Sequence, residues 1–306
     1  MSAPRVVCVG LSCLDHVWRV ERFPPRGSRT DASSYHLQGG GPAATAAVAA
    51  AHLGAHAALI ALHGDDPAGE TVLADLAQHG VDVSGVHRLP GARTFVSAVL
   101  VAPDGERWIF PYRGAGLDDD PALLPHGVVE GAGAVLVDMR HPRLCRAAAS
   151  AARAAGVPVV ADYGNLKAWE DAHLADHLLV SRECAEELLG RDDPETALPA
   201  LPRRPDQVVG ITLGADGVLL LDGDRRVSVP APRVEAVDTT GAGDVFHGAY
   251  ATAVARGLGA EPAAGYAATV AAMACRTLGA RAGLPSDAEV AAFRQQGVPG
   301  ADPARR

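Results

Sequence analysis

The sequence predicts an α/β fold: a parallel, doubly wound sheet with helices on both faces and a small separate sheet. Short apolar runs alternate with helical stretches along most of the 306 residues, the pattern of a sheet covered on both sides. Two stretches break that rhythm with extended, partly alternating residues. A hydrophobic fraction of 48% is enough to bury a large core.

In chain order, Arg5–Val9 is a β-branched run ended by Gly10, which reads as a buried strand. Residues 42–53 are alanine-rich, with Pro42 at the start and Gly54 just beyond, which predicts a helix. Ala57–Leu62 reads as a strand and 67–79 as a helix stopped by Gly80. Ala134–Val137, Val157–Ala161, Leu178–Val180 and Val208–Thr212 are further apolar strands. Helical stretches at 143–155, 183–189 and 194–200 are interleaved with them. The rhythm-breaking stretches are 16–37 and 93–113; the second predicts a hairpin turning at Pro103-Asp-Gly105. A small inserted sheet of this kind suits a lid over a ligand cleft. One domain over 1–295 with this lid is expected, and 296–306, rich in Pro and Gly, reads as a frayed tail.

The formal net charge of -9 and the lack of a basic block disfavour a sequence-independent grip on nucleic acid. Five scattered cysteines with no Cys-x-x-Cys pair point to a reducing cytoplasm. The chain enters an apolar strand at once, without a signal-peptide core. Its longest apolar stretch, Ala43–Leu62, is interrupted by His52, Gly54 and His56, so no membrane span is expected. No phosphate-loop G-x-x-x-x-G-K-[ST] or dinucleotide G-x-G-x-x-G string occurs, and the 12 histidines are scattered.

Four motifs carry chemistry. Asp238-Thr-Thr-Gly-Ala-Gly-Asp244 leads small residues into an apolar helix, where backbone N–H groups of Gly241, Ala242 and Gly243 could form an anion hole. Asp244 then stands at the helix cap, either as a simple N-cap or as a proton acceptor for an incoming hydroxyl. Gln38-Gly-Gly-Gly-Pro42 is a second glycine loop feeding a helix, and Asp15 lies just past the first strand. Ile211-Thr-Leu-Gly-Ala-Asp-Gly217 is a strand opening into a glycine-bracketed turn. Each alone is more often structural punctuation than a site.

In this order, with Gly64-Asp-Asp66 and Gly69, these motifs resemble the ribokinase (PfkB) family of carbohydrate kinases over nearly the whole chain. The resemblance implies a three-layer α/β/α sandwich with a small β-sheet lid and transfer of the ATP γ-phosphoryl group to a sugar hydroxyl. It implies Asp244 as general base, with Gly241, Ala242 and Gly243 neutralising charge on the transferred group. Asp15, Gly39, Gly40 and Gly41 would hold sugar hydroxyls. Thr212, Gly214 and Gly217 would line the nucleotide site, with part of Ala271–Gly279 near adenine. Mg²⁺ would accompany ATP, a monovalent cation such as K⁺ would sit beside the Asp238 loop in some members, and pairing of lids would give a homodimer.

Two departures bear on substrate and metal. Thr45 stands where ribokinases have Asn, replacing a sugar-facing amide with a shorter hydroxyl. Ser181-Arg-Glu-Cys184 replaces the family's Asn-x-x-Glu, so Glu183 or Glu186 becomes the candidate metal contact. The strings from Gly39 to Ala51, Asp238 to Ala249 and Gly279 to Pro285 are similar to sulfofructose kinases, which act on C1 of 6-deoxy-6-sulfofructose. That similarity implies Arg140 and Arg29 as sulfonate contacts, whereas Pro111 replaces an Asn donor. The alternatives are a fructokinase- or ketohexokinase-like enzyme, a nucleoside kinase stacking its base on Trp18, Trp108 or Phe110, and a non-enzymatic sensor.

Overall fold

The computed structural model describes residues 3–102, 107–163 and 166–296; the expected turn at Pro103-Asp-Gly105 and the expected tail from 297 lie outside them. In chain order the strands are β1 (Arg5–Val9), β2 (Cys13–Val20), β3 (Ala32–Gly40), β4 (His56–Gly64), β5 (Asp82–Leu89), β6 (Val96–Val101) and β7 (Arg107–Tyr112). They continue with β8 (Ala134–Val137), β9 (Val159–Asp162), β10 (His177–Ser181), β11 (Val208–Thr212), β12 (Val218–Asp222) and β13 (Arg225–Val229). The helices are α1 (Pro42–His52), α2 (Pro67–Gln78), α3 (Pro142–Ala154), α4 (Arg182–Leu189), α5 (Pro194–Ala197), α6 (Ala242–Ala255), α7 (Ala260–Ala274) and α8 (Asp287–Gln295).

Nine strands form one sheet in the order β13-β12-β11-β10-β9-β8-β1-β4-β5. The pairs from β5 across to β11 are parallel, as the alternating pattern predicts. The expectation of a wholly parallel sheet fails at one edge, where β12 and β13 run antiparallel. The reason is connection length: the Gly214–Asp216 turn and the Asp222–Arg225 turn are too short for a parallel crossover. One core packs α1, α6 and α7 on one face, and a second packs α3 and the 197–201 segment on the other. Three layers result.

The alanine run of α1 has a packing reason. Residues 43–50 are all buried, and a Cβ at Gly248 of α6 would collide with the Ala46 backbone. Small side chains let α1 and α6 approach closely enough to carry their N-termini to the same end of the sheet.

The two rhythm-breaking stretches form a second sheet, in the order β3-β2-β6-β7. β6 and β7 make the expected antiparallel hairpin, from Val96↔Tyr112 to Val101↔Arg107. β2 begins at Cys13 and β3 runs on to Gly40, so the small sheet reaches directly into the glycine motif.

Candidate active site

The central strand β1 lies between β8 and β4, and the chain leaves it in opposite directions on its two sides. Clefts form at such a point, beyond the C-terminal strand ends. A cavity of about 720 Å³ opens there, between the small sheet and the large one. Asp15, Gln38, Gly41, Ser97, Arg140, Asp238 and Gly279 are among its lining residues.

Asp15, expected just past the first strand, lies inside the next one, β2. It accepts a hydrogen bond from the Cys13 thiol at 3.4 Å, and burial raises its pKa. Gly40 packs against its carboxylate so closely that a Cβ there would overlap it. Gly39 and Gly40 are therefore strand residues, glycine because side chains crowd both of them. Gly41 differs: at φ 94° it serves as the N-cap of α1.

Asp244 is not the cap of α6. Gly241, at φ 70°, occupies that position and Asp244 is the third helical residue, its carboxylate making no capping bond. The N-cap reading fails because glycine alone adopts the left-handed turn without strain. A Cβ at Gly241 would also lie 2.7 Å from the Ala280 Cβ. The Ala242 N–H donates to Thr239 O at 3.2 Å. Among the described residues, the amides of Gly241, Gly243 and Asp244 have no protein acceptor, leaving three donors at a helix N-terminus.

Burial and the nearby Asp162 carboxylate raise the Asp244 pKa to about 7. Asp162, at the end of β9, is itself raised to about 7, by burial and by the Asp138 charge. His247, one turn along α6, has Nδ1 3.4 Å from Asp162 Oδ2. Burial lowers its pKa to about 4, so it is neutral at pH 7. A carboxylate with a pKa near the working pH is suited to accept a proton from a hydroxyl.

Asp138 holds these parts together. Its Oδ2 accepts from Leu11 N (2.8 Å) and Ala43 N (3.1 Å), and its Oδ1 accepts from Arg140 N (2.9 Å). Met139 between them adopts a left-handed φ of 56°, a strained conformation for a non-glycine residue. That turn carries Arg140 to the cavity wall.

Other expected residues lie elsewhere. Arg29 is exposed in the loop between β2 and β3 and does not line the cavity; Arg19 and Arg113 of the small-sheet region do. Thr45 does not face a sugar: it is 1% exposed, with its hydroxyl turned to Arg281. Trp18, Trp108 and Phe110 alternate with the cavity-lining Val17, Arg19, Ile109 and Pro111, so they point away from the cavity. Thr212, Gly214 and Gly217 stand at β11, four strand positions from β1. At about 4.8 Å per strand that is roughly 19 Å, enough for a second, elongated ligand beside the first. Gly217, at φ 96°, packs against the Val229 carbonyl where a Cβ would collide.

The metal candidates fit poorly. Cys184, a thiol where the family has a carboxylate, offers no oxygen; it donates to Tyr163 O at 3.0 Å, and burial pushes its pKa up to about 11. Ser181 caps α4 by accepting from Cys184 N. Glu183 and Glu186 are exposed on α4, in a shallow groove with Glu187 and Asp192 away from the cavity. Among the described residues no cluster of three His, Cys, Asp or Glu could hold a metal ion. Cys184 therefore supplies no oxygen donor for Mg²⁺, which leaves the exposed Glu183 and Glu186 carboxylates as the oxygen-bearing candidates on α4.

The model of the pfkB family of carbohydrate kinases matches residues 3–287. This chain belongs to that family. It is 29% identical to the ribokinase of Bacillus subtilis, over 94% of this chain and 98% of that one. It is 30% identical to the ATP-dependent ribose-1-phosphate kinase of Halopiger xanaduensis, over 94% of this chain and 97% of that one. The structure of Arabidopsis thaliana ribokinase complexed with ribose and ATP superposes with a TM-score of 0.79 at 26% identity, covering 96% of this chain and 99% of that one. The protein is thus an ATP-dependent carbohydrate kinase, a phosphotransferase with a sugar hydroxyl as acceptor.

Sequence reasoning missed Asp138, Asp162, Arg19, Arg113 and Arg281 in this kinase. Asp138 and Asp162 carried a readable signal, since one directly follows an apolar strand and the other ends one. Arg19 and Arg113 could have been found by extending the strand alternation to the small sheet. Arg281 had no local signal. The Gly64-Asp-Asp66 motif proves structural: Asp66 caps α2 through Gly69 N and binds both the backbone and the hydroxyl of Thr94.

Proposed function

We propose that this kinase phosphorylates a ketohexose-type sugar carrying an anionic group, with C1 of 6-deoxy-6-sulfofructose as the reference acceptor. The observation that carries the reading is the trio Arg19, Arg113 and Arg140 on the wall of one cavity. Among the described residues none of the three guanidinium groups has a carboxylate within ion-pair distance. Arginine in such a position offers several N–H donors to a tetrahedral oxyanion. Pro111 lines the same cavity without a donor, so recognition of the anion falls on the arginines. The Halopiger relative, by its name, acts on a sugar that already bears a phosphate, which supports the same chemistry.

In the proposed reaction the sugar hydroxyl lies between Asp15 and Asp244. Its oxygen attacks the γ-phosphorus of ATP, the bond to the β–γ bridging oxygen breaks, and ADP leaves. Asp244 accepts the hydroxyl proton, and the amides of Gly241, Gly243 and Asp244 neutralise charge on the transferred group. ATP extends from there towards Thr212, Gly214 and Gly217. Mg²⁺ bound with the nucleotide would neutralise charge on its phosphates. A K⁺ requirement would act on a loop whose Asp238 carboxylate already accepts from Thr240 N and Gly279 N; exchanging KCl for NaCl tests it.

The neutral-sugar reading, fructose, is separated by an ADP-release screen over sulfofructose, fructose 6-phosphate, fructose, ribose, 2-keto-3-deoxygluconate and nucleosides. An anionic ketohexose is expected to show the highest kcat/KM. Equal values for fructose and its anionic derivatives would defeat the reading. A nucleoside is disfavoured because Trp18, Trp108 and Phe110 face outwards.

The same outward face supports a homodimer through the lid. Trp18 packs on Tyr35 at 5.2 Å and Phe23 on Trp108 at 4.9 Å, while Phe110 and Tyr35 remain 52% and 48% exposed. A second copy of this sheet would cover that aromatic surface; a monomer in sedimentation at micromolar concentration would remove the proposal. Its free cysteines suit a reducing cytoplasm, where ATP is supplied. No helix among the described residues is long and apolar enough to cross a membrane.

A further inference from the structure

The segment 279–282 touches both halves of the site. Gly279 N donates to Asp238 Oδ2 at 2.9 Å, and Ala280 packs against Gly241 at the start of α6. The next residue, Arg281, turns the other way and is 6% exposed. Its Nη2 donates to Gly40 O at 3.2 Å, its Nε and Nη2 lie 3.4 Å from Thr45 Oγ1, and its Nη1 pairs with Asp75 of α2. A Cβ at Gly39 would overlap the Arg281 and Asp75 side chains, just as one at Gly40 would overlap Asp15. The end of β3 is thus held between Asp15 on one side and a buried arginine paired with the half-buried Asp75 on the other.

A guanidinium so deeply buried loses hydration that only good partners offset, so a purely apolar filler would be an easier solution for packing alone. This arginine reaches a strand carbonyl, a helix hydroxyl and a carboxylate from three different elements. The strand it grips is the one that enters the small sheet, and the turn it stands on borders the phosphoryl-binding amides. Its position therefore fixes the lid end of the sugar site relative to Gly241–Asp244.

We infer that Arg281 is a positioning residue that clamps the Gly39–Gly41 strand end and Asp15 in register with the catalytic loop, with Asp75 holding the clamp. It does not touch the reacting atoms, and it acts on sugar binding more than on ATP binding. The inference rests on the reading that the cavity beside Asp15 takes the sugar.

The test uses Arg281→Met, Arg281→Lys and the double variant Arg281→Met/Asp75→Asn. Removing one member of a buried pair destabilises strongly, so the double variant separates folding from positioning. Misplacement of a substrate by about 1 Å can cost up to a hundredfold, so the sugar KM of the double variant is expected to rise about tenfold or more, with ATP KM within about threefold. Arg281→Lys keeps charge without the fork and is expected to recover sugar KM only in part. A double variant with wild-type sugar KM, or with parallel rises in both KM values, overturns the inference.

Hydrogen exchange provides an arm that needs no substrate. The amides from Gly39 to Thr45 are expected to exchange at least about tenfold faster in the double variant; unchanged protection overturns the clamp. If wild-type protein releases no ADP with any sugar, the functional reading fails while the exchange result still decides the clamp.

Discussion

Replacing Asp162 with Asn removes a charge beside Asp244, the proposed base, without changing the volume around it. Asp244 titrates near 7 because of burial first and the Asp162 charge second. Burial is unchanged in Asp162→Asn, so only the second cause is lost. A like charge at about 6 Å, the outer part of the range that shifts a neighbouring carboxylate, repels by roughly 3 kcal/mol at an effective dielectric of about 20, or about two pK units. Asp162 also titrates near 7 and carries about half a charge there, so the expected fall in the Asp244 pKa is about one unit. The base works when deprotonated, so kcat/KM of the wild type rises with pH through about 7. In the variant that limb moves to lower pH. At pH 6 the deprotonated fraction rises from about a tenth to about a half, a gain of roughly fivefold relative to each enzyme's own plateau. The assay is coupled ADP release at subsaturating sugar from pH 5 to pH 9, with ATP saturating. A limb that stays in place, or moves to higher pH, refutes the pairing of these carboxylates.

Asp244→Asn is expected to lower kcat at least about a hundredfold while ATP binding by calorimetry stays within about threefold; retained turnover removes the base assignment. Arg140→Ala is expected to raise KM for an anionic sugar by roughly tenfold, the scale of losing one charged hydrogen bond, with little change for fructose. Equal effects on both sugars would place Arg140 outside anion recognition. Asp138→Ala leaves three backbone N–H groups without their acceptor, and a loss of about 3 kcal/mol or more is expected in denaturant unfolding. Because the Asp162 and Asp244 pKa values are raised on folding, their stabilising effect is full at low pH and lost as pH rises through about 7. The ligand-free wild type should therefore melt at a lower temperature at pH 8 than at pH 6, and Asp162→Asn should flatten that dependence.

The parallel strands and the helices that follow them were legible because apolar runs and their punctuation are local. Ala134–Val137 and Pro42–His52 match the sequence reading almost residue for residue. The antiparallel edge was not read, because Val218–Asp222 is as apolar as any parallel strand and only the short turn before it reveals direction. The glycines at 39 and 40 were readable as glycines but not as strand residues. What requires them is the approach of Asp15 and Arg281, from positions far along the chain. Thr45 illustrates the same limit: its departure from the family residue was visible, but its buried partner Arg281 was not.

Distance along the chain also hid the charge pattern. A net charge of -9 argues against anionic ligands only if the acids share the cavity's field equally. They do not. Asp138 faces three backbone N–H groups, and Asp238 faces two, so local donors answer both charges. Burial raises the pKa of Asp15, and it raises Asp162 and Asp244 to about 7, so the latter two carry less negative charge near neutrality than exposed acids. Arg19, Arg113 and Arg140 line the cavity. An anionic substrate of the kind proposed would therefore meet three arginines inside an acidic protein. Bulk repulsion, acting from exposed carboxylates beyond a Debye length, is screened at physiological salt, whereas this contact within the cavity is not.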